Sequence, residues 1–310
     1  MKADKKRNAE ALLVINAVIW GSSYVLNKIL LRSLPMFTVL FLFSLGGFLF
    51  SFLFFRKVVK GVDKKTVLRI LLVSSFSVLS NIFCMLSLKR NDSSVTAFVV
   101  QSSVVITPFL VSFYEKRKPE KVRILNALVA FSGIFLITVR FEDFQFNFNI
   151  LFALANALFF SLYLVGQKVL APSVDSKQFL LVHYLFCSLV FTGPAILEYV
   201  RIRNSLSLVS LLPLVLVCTF FAVFPVIAQT FALVFIKPEK AALIYALEPV
   251  TALITAALFT GERPDSIKTL AGLFLIFLSL IKGSVSPKAS TASMESGKTA
   301  EQIPKEKVLG

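Results

Sequence analysis

Long apolar stretches separated by short polar connections run along most of the chain. Ten of these stretches are about as long as the roughly 20 apolar residues that a transmembrane helix needs. The pattern predicts an all-α polytopic membrane protein with nearly all of residues 9–282 in the membrane. The predicted spans are 11–31, 37–57, 66–88, 94–114, 122–140, 149–170, 178–199, 208–235, 240–260 and 266–282.

The composition supports a membrane protein. Of the 310 residues, 56% are hydrophobic, 16% are charged and 33 are phenylalanine. Soluble domains are about 45–50% apolar, even with glycine included, and roughly 25% charged. A water-soluble globule of this composition would expose large apolar patches, which soluble proteins do not tolerate. The composition therefore excludes an ordinary cytosolic enzyme, a secreted disulfide scaffold and a disordered chain.

The basic residues predict an orientation. A net charge of +16 would suggest nucleic acid as a partner in a soluble protein. Here the basic residues lie between the apolar stretches and at the chain ends, as in cytoplasmic loops, so no nucleic acid is expected. With a cytoplasmic N-terminus, 24 of the 33 Lys and Arg residues fall on the inner side, and the bias is weak in the second half. We expect a multi-pass protein of the cell membrane (inner or plasma), with both termini cytoplasmic.

A segment of the first half recurs in the second half. Residues 16–31 resemble residues 156–171 at a shift of 140 positions. Asn16 aligns with Asn156, and Lys28 aligns with Lys168. The first predicted span therefore corresponds to the sixth.

A second segment recurs at nearly the same spacing. Residues 97–115 resemble residues 244–262 at a shift of 147 positions, which aligns Gln101 with Glu248. In both segments the final Glu is followed by a basic residue, as expected for an ion pair that fixes the loop. The fourth predicted span therefore corresponds to the ninth.

These repeats predict two five-helix halves of opposite orientation, because five is an odd number of crossings. Inverted repeats of this kind are typical of secondary transporters, whose substrate site lies near the midplane between the halves. The predicted organisation is a basic cytoplasmic N-terminus, two five-helix repeats and a polar, disordered cytoplasmic tail: 1–8, 9–140, 141–282 and 283–310.

Several short motifs carry a family resemblance: Trp20-Gly21-Ser22-Ser23, Leu247-Glu248-Pro249-Val250, Gly261-Glu262-Arg263 and Gly272. Together with the duplication, they make the chain resemble the drug/metabolite transporter superfamily, specifically its ten-helix EamA-type branch. The resemblance implies secondary transport of small metabolites, with export or exchange of amino acids or related molecules as the leading expectation. Multidrug efflux is the alternative within the superfamily, and an intramembrane enzyme that uses His183 is the alternative outside it.

The first half departs from the family pattern in the fourth span. Family members usually carry a proline near the middle of that helix. Here Ser102 occupies the position equivalent to Pro249, and Pro108 follows six residues later. This difference predicts that the fourth span kinks at a different depth from the ninth.

Glu248 is the leading candidate for a functional residue. It is the only acidic residue deep within a predicted span, where an ionisable group costs about 2.5–3.5 kcal/mol on insertion scales. It could bind a cation, a proton or a substrate amine, or it could hydrogen-bond a neighbouring helix beside Pro249. Gln101, its partner in the repeat, is a candidate for the same reason.

The other candidates are polar or aromatic side chains inside predicted spans. Trp20, Ser23 and Asn27 share a helical face, and Tyr245 precedes Glu248 by one turn. Each of these residues could instead serve packing or interhelical hydrogen bonding. The predicted substrate-binding set is Trp20, Ser23, Asn27, Asn81, Gln101, Tyr163, His183, Gln229, Tyr245 and Glu248.

No sequence motif indicates a cofactor, a metal or a catalytic site. The chain lacks a GxxxxGK[ST] phosphate loop and an HExxH motif, and its single histidine cannot form a multi-histidine metal site. The three cysteines lie inside apolar stretches and are expected to face the core or the lipid. The expected partners are a small-molecule substrate, the lipid bilayer and, if transport is coupled, protons. Both a monomer and a homodimer remain open.

Overall fold

The computed structural model describes residues 2–58, 62–91, 93–138, 148–202, 208–260 and 266–284. Within these ranges the chain forms α-helices joined by turns and one short 3-10 segment, and no β-strand. The residue ranges 141–147 and 285–310, which include the start of the predicted second repeat and nearly all of the predicted tail, lie outside the described residues.

The described helices follow the order of the predicted spans. They are α1 Lys2–Ser33, α2 Met36–Phe55, α3 Lys64–Arg90, α4 Ser93–Val100, α5 Ser103–Tyr114, α6 Lys121–Thr138, α7 Ile150–Leu170, α8 Ser176–Ile202, α9 Leu208–Ala232, α10 Pro238–Tyr245, α11 Glu248–Thr260 and α12 Ser266–Ser284.

The predicted fold class is confirmed. Eight segments of the described chain are long and apolar enough to cross a membrane, and each coincides with a predicted span. Two of these segments, Thr96–Tyr114 and Pro238–Phe259, contain a pair of short helices instead of one long helix. The remaining two predicted spans correspond to α6 and α12, which pack against each other.

The fourth and ninth spans are each broken near the middle. The chain leaves the α-helix at Gln101 and Ser102 in one half, and at Ala246 and Leu247 in the other. At the second break the backbone forms hydrogen bonds of the 3-10 type, from residue i to residue i−3. One of them is the 3.2 Å bond from the Ala246 N–H to the Leu243 carbonyl oxygen. In the repeat alignment residues 101–102 correspond to residues 248–249, so the two breaks are offset by two residues. The fourth span breaks at Gln101 and Ser102, without a proline there, and Pro108 lies inside α5.

Helix pairing shows that the two halves are related by a pseudo-twofold axis. Exchanging the halves converts the α1–α9 contact into α7–α3, and the α1–α11 contact into α7–α5, and all four pairs are observed. The same exchange maps α2–α8 and α6–α12 onto themselves, and both pairs are extensive. The fold is therefore built from two repeats that interlock across a shared central surface.

Close helix approach at one of these surfaces depends on glycine. A Cβ atom at Gly133 of α6 would lie 2.7 Å from the carbonyl oxygen of Gly272 and 3.0 Å from Ile276 Cγ1, both in α12. Small residues bring helices together in membranes, where packing replaces the hydrophobic effect as the force between helices. The ideal Cβ position of Gly193 in α8, by contrast, has no atom of the described residues within 4 Å, apart from the backbone of its own helix.

We predict that Gly133→Ala destabilises the protein and that Gly193→Ala does not. The added methyl at position 133 meets backbone, which cannot move aside cheaply, so overpacking should cost about 1–3 kcal/mol. Thermal unfolding of both variants in detergent tests this expectation. Because the two substitutions are chemically identical, equal unfolding temperatures would contradict the assigned α6–α12 packing.

Candidate functional site

A cavity of about 130 Å³ lies between the two halves. Helices α1, α2 and α3 of the first half and α7, α8 and α9 of the second contribute to its wall, together with Gln101 at the first helix break and Glu248 directly after the second. Among the described lining residues there is one carboxylate, Glu248, and no Lys or Arg. The described wall is therefore mostly apolar and carries a single carboxyl group.

Glu248 is held by two hydrogen-bond donors from the other half. It is the first residue of α11 and is only 3% exposed. The Tyr24 hydroxyl donates a hydrogen bond of 3.2 Å to Glu248 Oε2, and the Gln101 side-chain amide also donates to the carboxylate. The start of a helix carries partial positive charge, which further favours a negative group at this position.

Residues related by the repeat touch each other at this site. Gln101 and Glu248 are 147 positions apart in the repeat alignment, and they are hydrogen-bonded. Trp20 and Phe160 are 140 positions apart, and their rings meet edge to face at 5.5 Å. Symmetry-related residues can touch only near the symmetry axis, so the pseudo-twofold axis passes through the cavity.

Most of the predicted site residues line this cavity. They come from α1, α3, α7, α8, the break before α5 and the start of α11, and the fold brings them together. Their part in binding remains a prediction. The residues that line the cavity are Trp20, Ser23, Asn27, Asn81, Gln101, Tyr163, His183 and Glu248.

Gln229 and Tyr245 lie outside the cavity lining. Both are fully buried, and the Tyr245 hydroxyl donates a 2.9 Å hydrogen bond to Gln229 Oε1. Helical spacing predicts that Tyr245 shares the face of Glu248, but its hydroxyl is hydrogen-bonded to Asn16 and Gln229, and the side chain does not line the cavity. The structure therefore places this pair behind the wall of the cavity.

These two residues belong to a hydrogen-bonded network that joins both halves. Asn16 Nδ2 donates to the Tyr245 hydroxyl at 3.0 Å, and Gln229 Nε2 donates to Gln167 Oε1 at 2.5 Å. Gln167 Nε2 continues to the Tyr163 hydroxyl at 3.0 Å, which returns the network to the cavity wall. We call these five side chains the buried amide–tyrosine network.

His183 is packed among aromatic rings. Its Nδ1 lies 2.9 Å from Ser74 Oγ, a contact that links α8 to α3. The imidazole stacks on Phe179 at 5.6 Å and on Tyr163 at 5.5 Å. This environment suits a residue that bridges two helices at the edge of the cavity. No group of three or more potential metal ligands occurs among the residues that the structure describes.

Sequence reasoning missed several lining residues. Tyr24 follows Trp20 by four residues, so helical spacing could have placed it on the same face. Asn156 could have been found from its alignment with Asn16, and its Nδ2 donates to the Ser80 carbonyl at 2.7 Å. Cys84 and Cys187 line the cavity, although the cysteines were expected in the core or in lipid. The remaining polar residues of this kind are Ser44, Ser77, Ser80 and Tyr184.

The duplicated lysines cap equivalent helices. Lys28 Nζ donates to the Asn91 carbonyl oxygen at 3.0 Å, just after α3. Lys168 Nζ donates to the Leu233 carbonyl oxygen at 2.8 Å, just after α9. Helix ends leave carbonyl groups without intrahelical partners, and a cation there satisfies them. The duplication is thus explained by one anchoring contact repeated in both halves.

Comparison with known proteins identifies the class. The model of the EamA-like transporter family matches residues 7–139 and again residues 147–282. The chain therefore belongs to the EamA-like transporter family.

Two individual proteins are similar to the chain along most of its length. An uncharacterized transporter of Archaeoglobus fulgidus is 26% identical over 283 residues, which are 89% of this chain and 86% of that protein. A crystal structure matches with a TM-score of 0.70 at 17% identity, covering 89% of this chain and 96% of that one. The likeness to the crystal structure concerns the fold alone.

We predict that a cysteine at position 81 reacts with a water-soluble maleimide and that one at position 229 does not. Asn81 lines the cavity and is exposed, whereas Gln229 is completely buried in the amide–tyrosine network. Asn81→Cys and Gln229→Cys would each be made in a chain whose three cysteines are replaced by serine. Mass spectrometry of the labelled proteins gives the answer, and equal labelling would contradict the assigned cavity wall.

Proposed function

We propose that this transporter is a secondary transporter that moves a small metabolite through the central cavity by alternating access. The observation that carries the proposal is a cavity between the two repeats that is closed at one face by contacts between the halves. Alternating access requires such contacts, because they must break when the cavity changes sides. Eight predicted site residues would then form the substrate site from both halves.

An ion cluster joins the halves at the closed face. Glu239, at the start of α10, forms ion pairs with Arg123 and Arg117 of the first half. Arg123 also binds Glu120, with 2.8 Å between Nε and Oε2. The Glu239 side chain is only 7% exposed, so this contact is more than a solvated surface pair. Such part-buried pairs are expected to matter more than exposed pairs, whose median worth is about 0–1 kcal/mol.

A second pair joins the halves nearby. Lys240 Nζ lies 2.6 Å from Glu10 Oε1 in α1. Glu10 lies in the N-terminal part of α1, whereas the cavity-lining residues of that helix begin only at Trp20. The ion cluster and this pair therefore lie between the cavity and the face that holds the start of α1.

The buried amide–tyrosine network also lies on the closed side of the cavity. Gln167 lies near the end of α7, and Gln229 lies near the end of α9. Both ends are on the face that holds the starts of α1 and α10, because successive spans are antiparallel. The network thus forms an inner layer of closure, and the ion cluster forms an outer layer.

The predicted orientation in the membrane relates the closed face of the cavity to one side of the cell membrane. With both termini cytoplasmic, as the basic residues predict, the closed face is the cytoplasmic face. Transport then requires the two halves to rock, breaking both layers while the opposite face closes. If transport is coupled to protons, Glu248 is the lining carboxylate that would carry the proton.

The alternatives gain less support from the structure. An intramembrane enzyme would use His183, whose ring packs against Phe179 and Tyr163 and whose Nδ1 lies 2.9 Å from Ser74 Oγ, a contact that bridges α8 and α3. Membership of a transporter family also favours transport. Multidrug efflux would use the same cavity and differs only in how broadly that cavity accepts ligands.

We predict that Glu239→Gln increases the fraction of molecules whose cavity is open at the face that holds the start of α1. Removing the acid from the ion cluster removes attraction between the halves, and a loss of about 1 kcal/mol would raise the open population about fivefold. The readout is labelling of Asn81→Cys in oriented proteoliposomes, with the impermeant maleimide added to one side at a time.

The matched control is Glu120→Gln. Glu120 contacts Arg117 and Arg123 of its own half, so the same change should leave the labelling from each side as in the parent. Labelling of position 81 from one side only, in both variants and in the parent, would contradict alternating access through this cavity.

A further inference from the structure

We propose that the substrate is an organic amine that lacks an acidic group, with its protonated nitrogen bound to Glu248 and an apolar or aromatic body. The inference rests on the proposed transport function and narrows the substrate class. Three observations carry it: the charge of the cavity, its unpartnered hydrogen-bond acceptors and its aromatic rings.

The charge of the cavity favours a cation. Glu248 is the one carboxylate among the described lining residues, and none of them is Lys or Arg. A buried charge is stable only when it is paired, so an incoming cation would be matched by Glu248. A phosphate, a sulfate or a carboxylate would find no cationic side chain in this part of the wall. A zwitterionic amino acid would therefore leave its carboxylate unpaired.

The wall also contains acceptors that lack donors. Gln101 Oε1, Asn27 Oδ1 and Asn156 Oδ1 are buried and have no hydrogen-bond partner. Leaving a buried acceptor unpaired costs about 1–3 kcal/mol. A protonated primary amine carries three N–H donors and no acceptor, so it suits the Glu248 carboxylate and the Gln101 oxygen beside it.

The amide assignments of Asn156 and Gln101 cannot simply be reversed to remove their acceptors. Asn156 Nδ2 faces the Ser80 carbonyl, and an amide oxygen there would face another oxygen. Gln101 Nε2 faces the Glu248 carboxylate, which is also an acceptor when ionised. The Gln101 oxygen therefore remains an unused acceptor beside the carboxylate that would bind the ammonium group.

Aromatic rings supply the rest of the surface. Trp20 and Phe160 meet at 5.5 Å on the pseudo-twofold axis, and both line the cavity. Aromatic faces attract cations and pack well against apolar bodies. The other aromatic lining residues are Tyr24, Phe43, Tyr163, Tyr184 and Phe191.

The test is binding to the full-length purified protein in nanodiscs, measured by calorimetry. The probes are a series of primary amines from butylamine to 2-phenylethylamine and tryptamine, with the carboxylates of matched carbon skeleton and phenylalanine as comparisons. We expect saturable binding of at least one amine, with the matched carboxylate and amino acid at least tenfold weaker. Binding of a carboxylate as tight as that of its matched amine, or no binding by any amine in the series, would overturn the proposal.

Variants assign the binding to Glu248. Glu248→Gln should weaken amine binding about 10- to 100-fold, the usual loss for a hydrogen bond to a charged group. The exchange variant Gln101→Glu/Glu248→Gln keeps a carboxylate–amide pair at the same contact and should recover most of the affinity. Ligand-free thermal unfolding checks that both variants fold, and undiminished amine binding by a folded Glu248→Gln would overturn the assignment.

The outcome is separable from the proposed function. Side-specific labelling of position 81 reports alternating access without any ligand, so it can succeed while the amine series fails. If amines bind but position 81 is labelled from one side only in every variant, the binding site is supported and transport through it is contradicted.

Discussion

A helix that breaks inside a membrane is the constraint on which this structure depends. In hydrocarbon the backbone has no water to bind, so a break is tolerated only inside the protein or beside a cavity. The breaks at residues 101–102 and 246–247 both lie in the interior, between the two repeats. They bring Gln101 and Glu248 into contact, and that contact fixes where the cavity and its only described carboxylate lie.

The first helix of the bundle is shaped to cover one of these breaks. A Cβ atom at Gly21 would overlap Thr251 Oγ1 and the carbonyl oxygen of Glu248, so only glycine lets α1 come this close to α11. Thr251 Oγ1 also lies 3.3 Å from the Ala17 carbonyl of α1. Trp20, the neighbour of Gly21, then reaches the cavity and packs against Phe160. In the Trp20-Gly21 pair, Gly21 thus allows the close contact between α1 and α11, and Trp20 forms part of the cavity wall.

The sequence predicts those features of the structure that depend on local patterns, namely the membrane spans and the two repeats. The length of each apolar stretch determines where a span lies, and the duplicated polar residues indicate the two halves. Together they were sufficient to predict the fold class. The site was predicted only in part, because spacing along a helix does not show which side chains are held by distant partners: the Tyr245 hydroxyl is bound to Asn16 and Gln229 and does not line the cavity. Contacts such as Arg123 with Glu239 join positions 116 residues apart and leave no local pattern that could reveal them.

The two halves share a fold but differ in chemistry at the axis, and the difference has a physical reason. If both positions carried glutamate, two like charges would touch in a buried site, and they could not both ionise. With Gln101 opposite Glu248, one side supplies a charge and the other supplies a donor and a free acceptor. Because this pair lies on the pseudo-twofold axis, rocking of the halves about the site moves it least. In the proposed mechanism the same carboxylate would therefore meet a ligand from either face, while the ion cluster at Glu239 would hold one face closed.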